Sequence, residues 1–313
     1  MSIIFDEVIT YKVISTALDL PVNQIQSLLG PRNLSNLTFR YLTTEESIKV
    51  AEDVNSTLND LTIPKAGPNR LDTWEKGWNE ILENVKSEGP NRETLTPQYF
   101  RHNIFRFNGR YIQSKSFDFE QEILDILRTI IIKKYLSSSE HIVELGCGTG
   151  VNLFLLSKIL QNKKLTGCDW AKASQKLINQ INITMKEKIK PVNLDLLTMK
   201  EWQNIEINSD TAILTLHALE QLGSNIEPLI STLLETKPQI CVHLEPIVEL
   251  YDLENEFDKI AHNYHIKRNY LIGFYSKLIN LERAGRIKLI KVSRTGFGST
   301  FQEAYTMIVW KVV

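Results

Sequence analysis

The chain has 313 residues, with 36 Lys plus Arg against 37 Asp plus Glu and a net charge of −1. That length supports one large domain or two modest ones around a real core. The balanced charge excludes a globally basic nucleic-acid binder and leaves only local patches open. The three cysteines, Cys147, Cys168 and Cys241, form no CxxC pair. A cysteine-rich zinc site is therefore not expected, and buried free thiols in a reducing compartment are. No apolar run reaches membrane-spanning length, and no basic segment followed by an apolar core opens the chain, so it reads as cytoplasmic.

Residues 1–136 read as a mainly helical region that handles substrate or acts as a lid. Ile9, Val13, Ala17 and Leu18 share one helical face. Between 61 and 98, Pro64, Gly67, Pro68, Gly89, Pro90 and Pro97 punctuate the chain. Gly-Pro-Asn-Arg occurs at 67–70 and 89–92 in unlike surroundings, so it marks no repeat architecture. Trp74, Trp78 and Leu82 recur at helical spacing between the two copies, as a packing stripe or as an aromatic wall for a substrate. Asn108-Gly109 between two β-prone runs predicts a hairpin over 103–112. Ile123, Ile126, Leu127, Ile130 and Ile131 mark a helix, and the serines at 137–139 a boundary.

Residues 137–313 alternate between strand and helix. Strands are expected at 141–146, 164–169, 192–196, 211–217 and 240–245, and helices at about 151–161, 171–187 and 225–235. Such alternation predicts a parallel sheet with helices on both faces and ligands at the C-terminal strand ends. A long helical insertion at about 253–284 is expected to lid the pocket. Two β-prone runs, 287–293 and 304–312, follow with no helix between them and should pair antiparallel.

The centre of this pattern is Glu144-Leu145-Gly146-Cys147-Gly148-Thr149-Gly150, a strand end breaking into alternate glycines ahead of a helix. Glycine lets backbone approach a ligand closely, and the turn should aim free N–H groups at it. A phosphate-binding P-loop needs Gly-Lys-Ser/Thr, but Val151 and Asn152 follow Gly150. The dinucleotide fingerprint needs a third glycine where Val151 stands. The segment instead resembles the E/D-x-G-x-G-x-G turn of the class I S-adenosylmethionine-dependent methyltransferases. The terminal antiparallel pair is similar to the ending of their sheet, and the resemblance covers roughly residues 115–313. It implies an α/β, Rossmann-like, seven-stranded, mostly parallel sheet with an antiparallel C-terminal hairpin.

The resemblance also implies a cofactor wall. Asp169, ending the second strand, takes the ribose hydroxyls, and Asp195 takes the adenine amino group, with Leu196 beside it. Trp170 lies on adenine or is simply packed. Glu144 faces the cofactor's ammonium or fixes the turn, while Gly146, Cys147 and Gly148 admit the methionine part.

Methyl transfer from a sulfonium needs an aligned nucleophile and often a base. His217, ending the fourth strand, is the first choice for that base; its alternative is a bond to a backbone carbonyl. His243 and Glu245 share a face at the end of the fifth strand. Glu245 would bind a substrate hydroxyl or amine or orient a histidine, and His243 would join it or be buried structure. In the helical insertion His262, His265, Tyr264 and Arg268 are candidates for substrate contact. Joined by His217 and Glu245, the two histidines form a lesser alternative, a divalent metal site; the reading adopted has none.

Motifs for base or amide nitrogen methylation, paired-glutamate arginine methylation and thiolate-based cytosine methylation are absent after strand four. The expected function is therefore methylation of a small molecule, at a hydroxyl of a sugar or secondary metabolite, with no membrane or nucleic-acid partner. The alternatives are nitrogen or carbon methylation of a small molecule or peptide, a non-catalytic cofactor-binding subunit, and an RNA methyltransferase. The last would use Arg101, Arg106 and Arg110 among Tyr99, Phe105 and Phe107.

Overall fold

The structure is a computed structural model that describes residues 4–313. Residues 1–3 of the expected N-terminal region lie outside the described residues. The first part of the chain runs β1 (Glu7–Val8), α1 (Tyr11–Leu18), α2 (Val22–Leu29), β2 (Thr38–Tyr41), α3 (Thr44–Asn59), α4 (Leu71–Glu88), α5 (Arg92–Leu95), β3 (Ile104–Phe107), β4 (Arg110–Ser114) and α6 (Phe119–Ile131). Local chemistry sets several of these ends. Thr10 accepts from the Val13 N–H at the start of α1, and Thr43 and Glu46 form a reciprocal capping box on α3. Asn108-Gly109, both at positive φ, turn β3 into β4.

The second part runs β5 (His141–Leu145), α7 (Val151–Ile159), β6 (Lys164–Asp169), α8 (Lys172–Met185), β7 (Lys190–Asn193), β8 (Thr211–Leu216), α9 (Glu227–Thr236), β9 (Ile240–Glu245), α10 (Glu256–Lys267), α11 (Phe274–Arg283), β10 (Ile287–Ser293), β11 (Phe297–Gly298) and β12 (Thr306–Val312). Seven of these strands form one sheet in the order β10-β12-β9-β8-β5-β6-β7. β5 pairs parallel to both β6 and β8, and β12 pairs antiparallel to β9 and β10. All of β5 is buried, as a central strand covered on both faces must be. The chain leaves β5 towards β6 and β7 and returns to β8 on its other side. The order of strands thus reverses at β5, and a crevice opens over the ends of β5 and β8. The likeness to class I methyltransferases extends from the glycine turn to the topology of the sheet.

The first part is less helical than its sequence suggests. β1, β2, β4, β3 and β11 form a five-stranded antiparallel sheet in that order. Its strands are two to five residues long, too short for alternation to stand out in the sequence. β11, expected as plain loop, comes from the far end of the chain and pairs with β3. One hydrophobic cluster joins Ile9, Phe39 and Phe105 to Val242 and Val309, so packing runs straight through the expected boundary at 136–137. The hairpin offers no basic face for RNA at its centre. Arg106 is buried, donating to the Phe257 carbonyl, and Phe105 and Phe107 belong to the core.

The helical insertion is two helices, α10 and α11. They are separated by a turn in which Asn269 (φ 53°) and Gly273 (φ 83°) adopt the left-handed conformation. No helix among the described residues is long and apolar enough to cross a membrane, and the three cysteines are free and buried.

Candidate active site

A cavity of about 650 Å³ lies over the C-terminal ends of β5, β6 and β8, covered by α4 and by the turn after α10. Its floor is the glycine turn. Gly146 has φ 71°, and a Cβ there would stand 2.3 Å from the Ala218 Cβ. Only glycine meets both demands. Gly148 has φ 52° and lies under Trp78, whose ring a Cβ would meet at 3.2 Å. Trp78 stacks on Trp74 at 5.2 Å, and both line the cavity. The tryptophan stripe is thus both packing and wall.

Four N–H groups of the turn are spent within the protein, so the turn aims fewer free donors at the cavity than its glycines suggest. Gly146 and Cys147 donate to the Cys168 carbonyl at 2.7 and 2.9 Å, and Gly150 donates to the Cys147 carbonyl at 2.9 Å. Gly148 donates to Asp169 Oδ2 at 2.9 Å. The end of β6 has taken three of these four donors, which suits a ligand that brings no phosphate.

Asp169 lines the cavity, and its other oxygen accepts from the Ala171 N–H at 2.9 Å. Burial raises its pKa to about 6 against these hydrogen bonds. Each oxygen keeps a lone pair for a further donor. Trp170, Asp195, Leu196 and Cys147 also line the cavity. Asp195, however, folds onto its own turn, accepting from the Leu197 N–H at 2.9 Å and the Thr198 hydroxyl at 3.1 Å. Burial pushes the Cys147 thiol up, so it is an inert wall atom.

Glu144 is fully buried at the end of β5. It accepts from the Asn152 amide, while its Oε2 has no partner. Burial raises its pKa to about 8, which the Asn152 bond and the charge of Arg128 partly offset. Arg128 comes from α6, lines the cavity, donates to Asp125 at 2.9 Å and leaves Nε unpartnered. Arg128 lines the cavity and can meet the carboxylate of an amino-acid group, while Glu144 lies beneath the lining and holds the turn through Asn152. These residues therefore fit S-adenosylmethionine.

The far wall carries His217, with Tyr99, His102, Glu220, Tyr264 and Arg268 around it. His217 has φ 54°, and its backbone N–H still bonds the Leu244 carbonyl at 3.1 Å. Its ring stacks on Tyr305 at 4.7 Å, and Nε2 lies 2.8 Å from the Ala304 carbonyl. A carbonyl only accepts, so Nε2 carries the proton and Nδ1 the lone pair. No described residue bonds Nδ1. Burial lowers the pKa of His217 to about 4, and the ring is neutral at pH 7. Behind it Tyr305 donates to Glu120 at 2.6 Å, and Glu120 accepts from His102 at 2.9 Å.

Two expected chemical residues are structural instead. Glu245 is fully buried and accepts from the Ala218 and Leu219 N–H groups at 3.1 and 3.2 Å. It fixes the turn that carries His217 and does not line the cavity. His243 is equally buried between Thr215 and the Trp310 indole N–H, at 2.9 Å from each. The indole can only donate, so Nε2 accepts, and burial holds the pKa at about 3. Period two put both side chains on one face, but Phe274 of α11 packs on the His243 ring and the turn after β8 encloses Glu245.

The insertion divides likewise. Tyr264 and Arg268 line the cavity. His265 is buried, bonded to the Leu271 carbonyl at 2.6 Å and to Gln302 at 3.1 Å. His262 is half-buried and does not line the cavity. The residues named for a metal do not converge, and among the described residues no group of three or more His, Cys, Asp or Glu is placed to hold one.

Arg128, Asn152, Tyr99 and Glu220 were not foreseen as site residues. The signal for Arg128 was an arginine inside an apolar helix face, four residues after Leu124.

The chain matches no protein-family model and no curated protein. It is similar to solved structures at low identity. The pyocyanin biosynthetic protein PhzM matches at 12% identity over 63% of this chain and 59% of its own, with a TM-score of 0.39. The plantazolicin methyltransferase BpumL, solved with a monoazolic desmethyl analog and S-adenosylhomocysteine, matches at 14% over 78% and 97%, TM-score 0.44. An S-adenosylmethionine-dependent methyltransferase from Aquifex aeolicus matches at 14% over 70% and 99%, TM-score 0.39. The chain thus spans under two thirds of the length of PhzM. At these scores the likenesses carry no weight in reading the site, which stands on the chain's own residues.

Proposed function

We propose that this protein is an S-adenosylmethionine-dependent methyltransferase that modifies a hydroxyl oxygen of a small molecule, with His217 as general base. The observation that carries the reading is the placement of His217 beside the glycine turn. Its neighbour Ala218 lies against Gly146, and His217, with Nδ1 unbonded, lines the same cavity.

Arg128 would hold the amino-acid end of the cofactor, with Glu144 fixing the turn beneath it, Asp169 the ribose, and Trp170 and Leu196 the adenine side. When bound, the cofactor supplies an electrophilic methyl group on a sulfonium. The protein's own residues do the rest. Ala304 fixes the tautomer of His217, Tyr305 backs its ring, and Glu245 holds the turn on which it stands. The neutral imidazole accepts the hydroxyl proton at Nδ1 as the oxygen becomes a nucleophile. The aromatic cover of Trp74 and Trp78 keeps water from the reacting centre.

Nitrogen methylation is the second reading, favoured by Glu220. This cavity acid has a pKa raised by burial to about 7, suited to taking a proton from an ammonium acceptor. Incubation with methyl-labelled cofactor and a cell lysate tests the assignment. Label in a small molecule as an alkali-stable ether is the expected product. A methyl on nitrogen by NMR favours the second reading, an alkali-labile ester refutes the hydroxyl acceptor, and label in protein or RNA refutes the small-molecule acceptor.

A further inference from the structure

Two guanidinium groups line the cavity. Arg128 sits beside Glu144, where the cofactor's own carboxylate belongs. Arg268 sits on the opposite wall, in the turn that follows α10, and the cofactor brings no second anion for it. Its Nη1 donates to the Tyr264 hydroxyl at 3.0 Å. Its guanidinium carbon lies 4.9 Å from the ring centre of Tyr270. Nε is buried without a partner, no described residue accepts from Nη2, and no described carboxylate forms an ion pair with Arg268. The nearest acid whose charge it meets, Glu220, is bonded to the Gln221 amide at 3.1 Å.

An arginine held on one corner and stacked on a ring is oriented in advance. Nη2 is the corner left over, and it can donate to an anionic oxygen in the cavity. Tyr264 stacks on Phe301 at 4.7 Å beside it, which supplies a flat apolar surface for the body of such a ligand. We infer that the methyl acceptor carries a carboxylate, seated on Nη2 of Arg268 with its ring or chain along Tyr264 and Phe301. This deepens the proposed function and rests on it. One guanidinium carries one positive charge, which matches a carboxylate and leaves half the charge of a phosphate dianion unanswered.

The test uses full-length protein saturated with S-adenosylhomocysteine and three probes: benzoate, benzamide and phenyl phosphate. Binding is read by tryptophan fluorescence and ligand NMR. Benzoate should bind more tightly than benzamide by about tenfold. Arg268→Gln should erase that difference, and Arg268→Lys should keep only part of it, since the charge remains without the fork. S-adenosylhomocysteine affinity should stay unchanged in both variants. Equal binding of benzoate and benzamide, or an advantage that survives Arg268→Gln, overturns the inference. Phenyl phosphate binding most tightly overturns it in favour of a phosphoryl group. Failure of the wild type to bind S-adenosylhomocysteine removes the underlying methyltransferase reading too, and is told apart because it shows before any probe is added.

Discussion

The two halves of the cavity are built in opposite ways. The cofactor half comes mostly from consecutive strand ends, with Gly146, Gly148, Asp169 and Leu196 inside one stretch of chain and Arg128 added from α6. The acceptor half takes Tyr99 from before the hairpin, His217 from after β8, Arg268 from the turn after α10 and Phe301 from the loop before β12. A contiguous half fixes its geometry through backbone: glycine conformations and N–H groups spent on β6. A dispersed half fixes its geometry through side chains packed from several elements. The first should therefore fail by backbone strain and loss of cofactor, the second by loss of turnover with cofactor binding intact.

Gly146→Val breaks the first half most severely. It forces a branched side chain into the left-handed region and against Ala218, costing about 2–5 kcal/mol. Urea unfolding should show that loss, and calorimetry should show no S-adenosylhomocysteine binding. His217→Ala breaks the second half. The rate of methyl transfer should fall about 10²–10⁴-fold, while S-adenosylhomocysteine binds as to the wild type. A turnover near normal would remove His217 as the base.

Glu245→Gln sharpens the contrast, because this residue supports the acceptor half from behind. An amide offers one acceptor oxygen where the carboxyl uses two, one for the Ala218 N–H and one for the Leu219 N–H. Stability should drop by about 1–3 kcal/mol, and the rate should fall with cofactor affinity unchanged.

The smallest effect is a slope with pH. Burial raises Glu144 and Glu245 from 4.5 to about 8. Between those values the folded protein keeps protons that the unfolded chain releases, so stability present at low pH is lost as pH rises through about 8. The neutral histidines His217, His243 and His265 have pKa values below their unfolded 6.5 and oppose this only at more acid pH. From pH 6.5 to 8 the melting temperature should therefore decline. Glu245→Gln should flatten the decline. A melting temperature that rises over this window contradicts the assignment.

The same contrast explains what could be read from the chain alone. The glycine turn, Asp169 and the order of sheet elements were legible because local spacing encodes them. His243 and Glu245 were misread because period two gives a face but not what covers it, and here α11 and the turn after β8 do. The five-stranded sheet was missed because its strands are short and its last one, β11, comes from a loop some 190 residues beyond its partner β3. Arg268 was legible only as one polar residue among several on a helical stretch. Its meaning comes from Tyr264 holding one corner of it and no acid holding the other.

Titration of S-adenosylhomocysteine into the purified wild type and into Asp169→Ala tests the central claim most directly. One-to-one binding to the wild type, weakened at least tenfold in the variant by loss of charged hydrogen bonds, is the predicted result. No heat with a folded wild type, or equal affinity in both proteins, would contradict it.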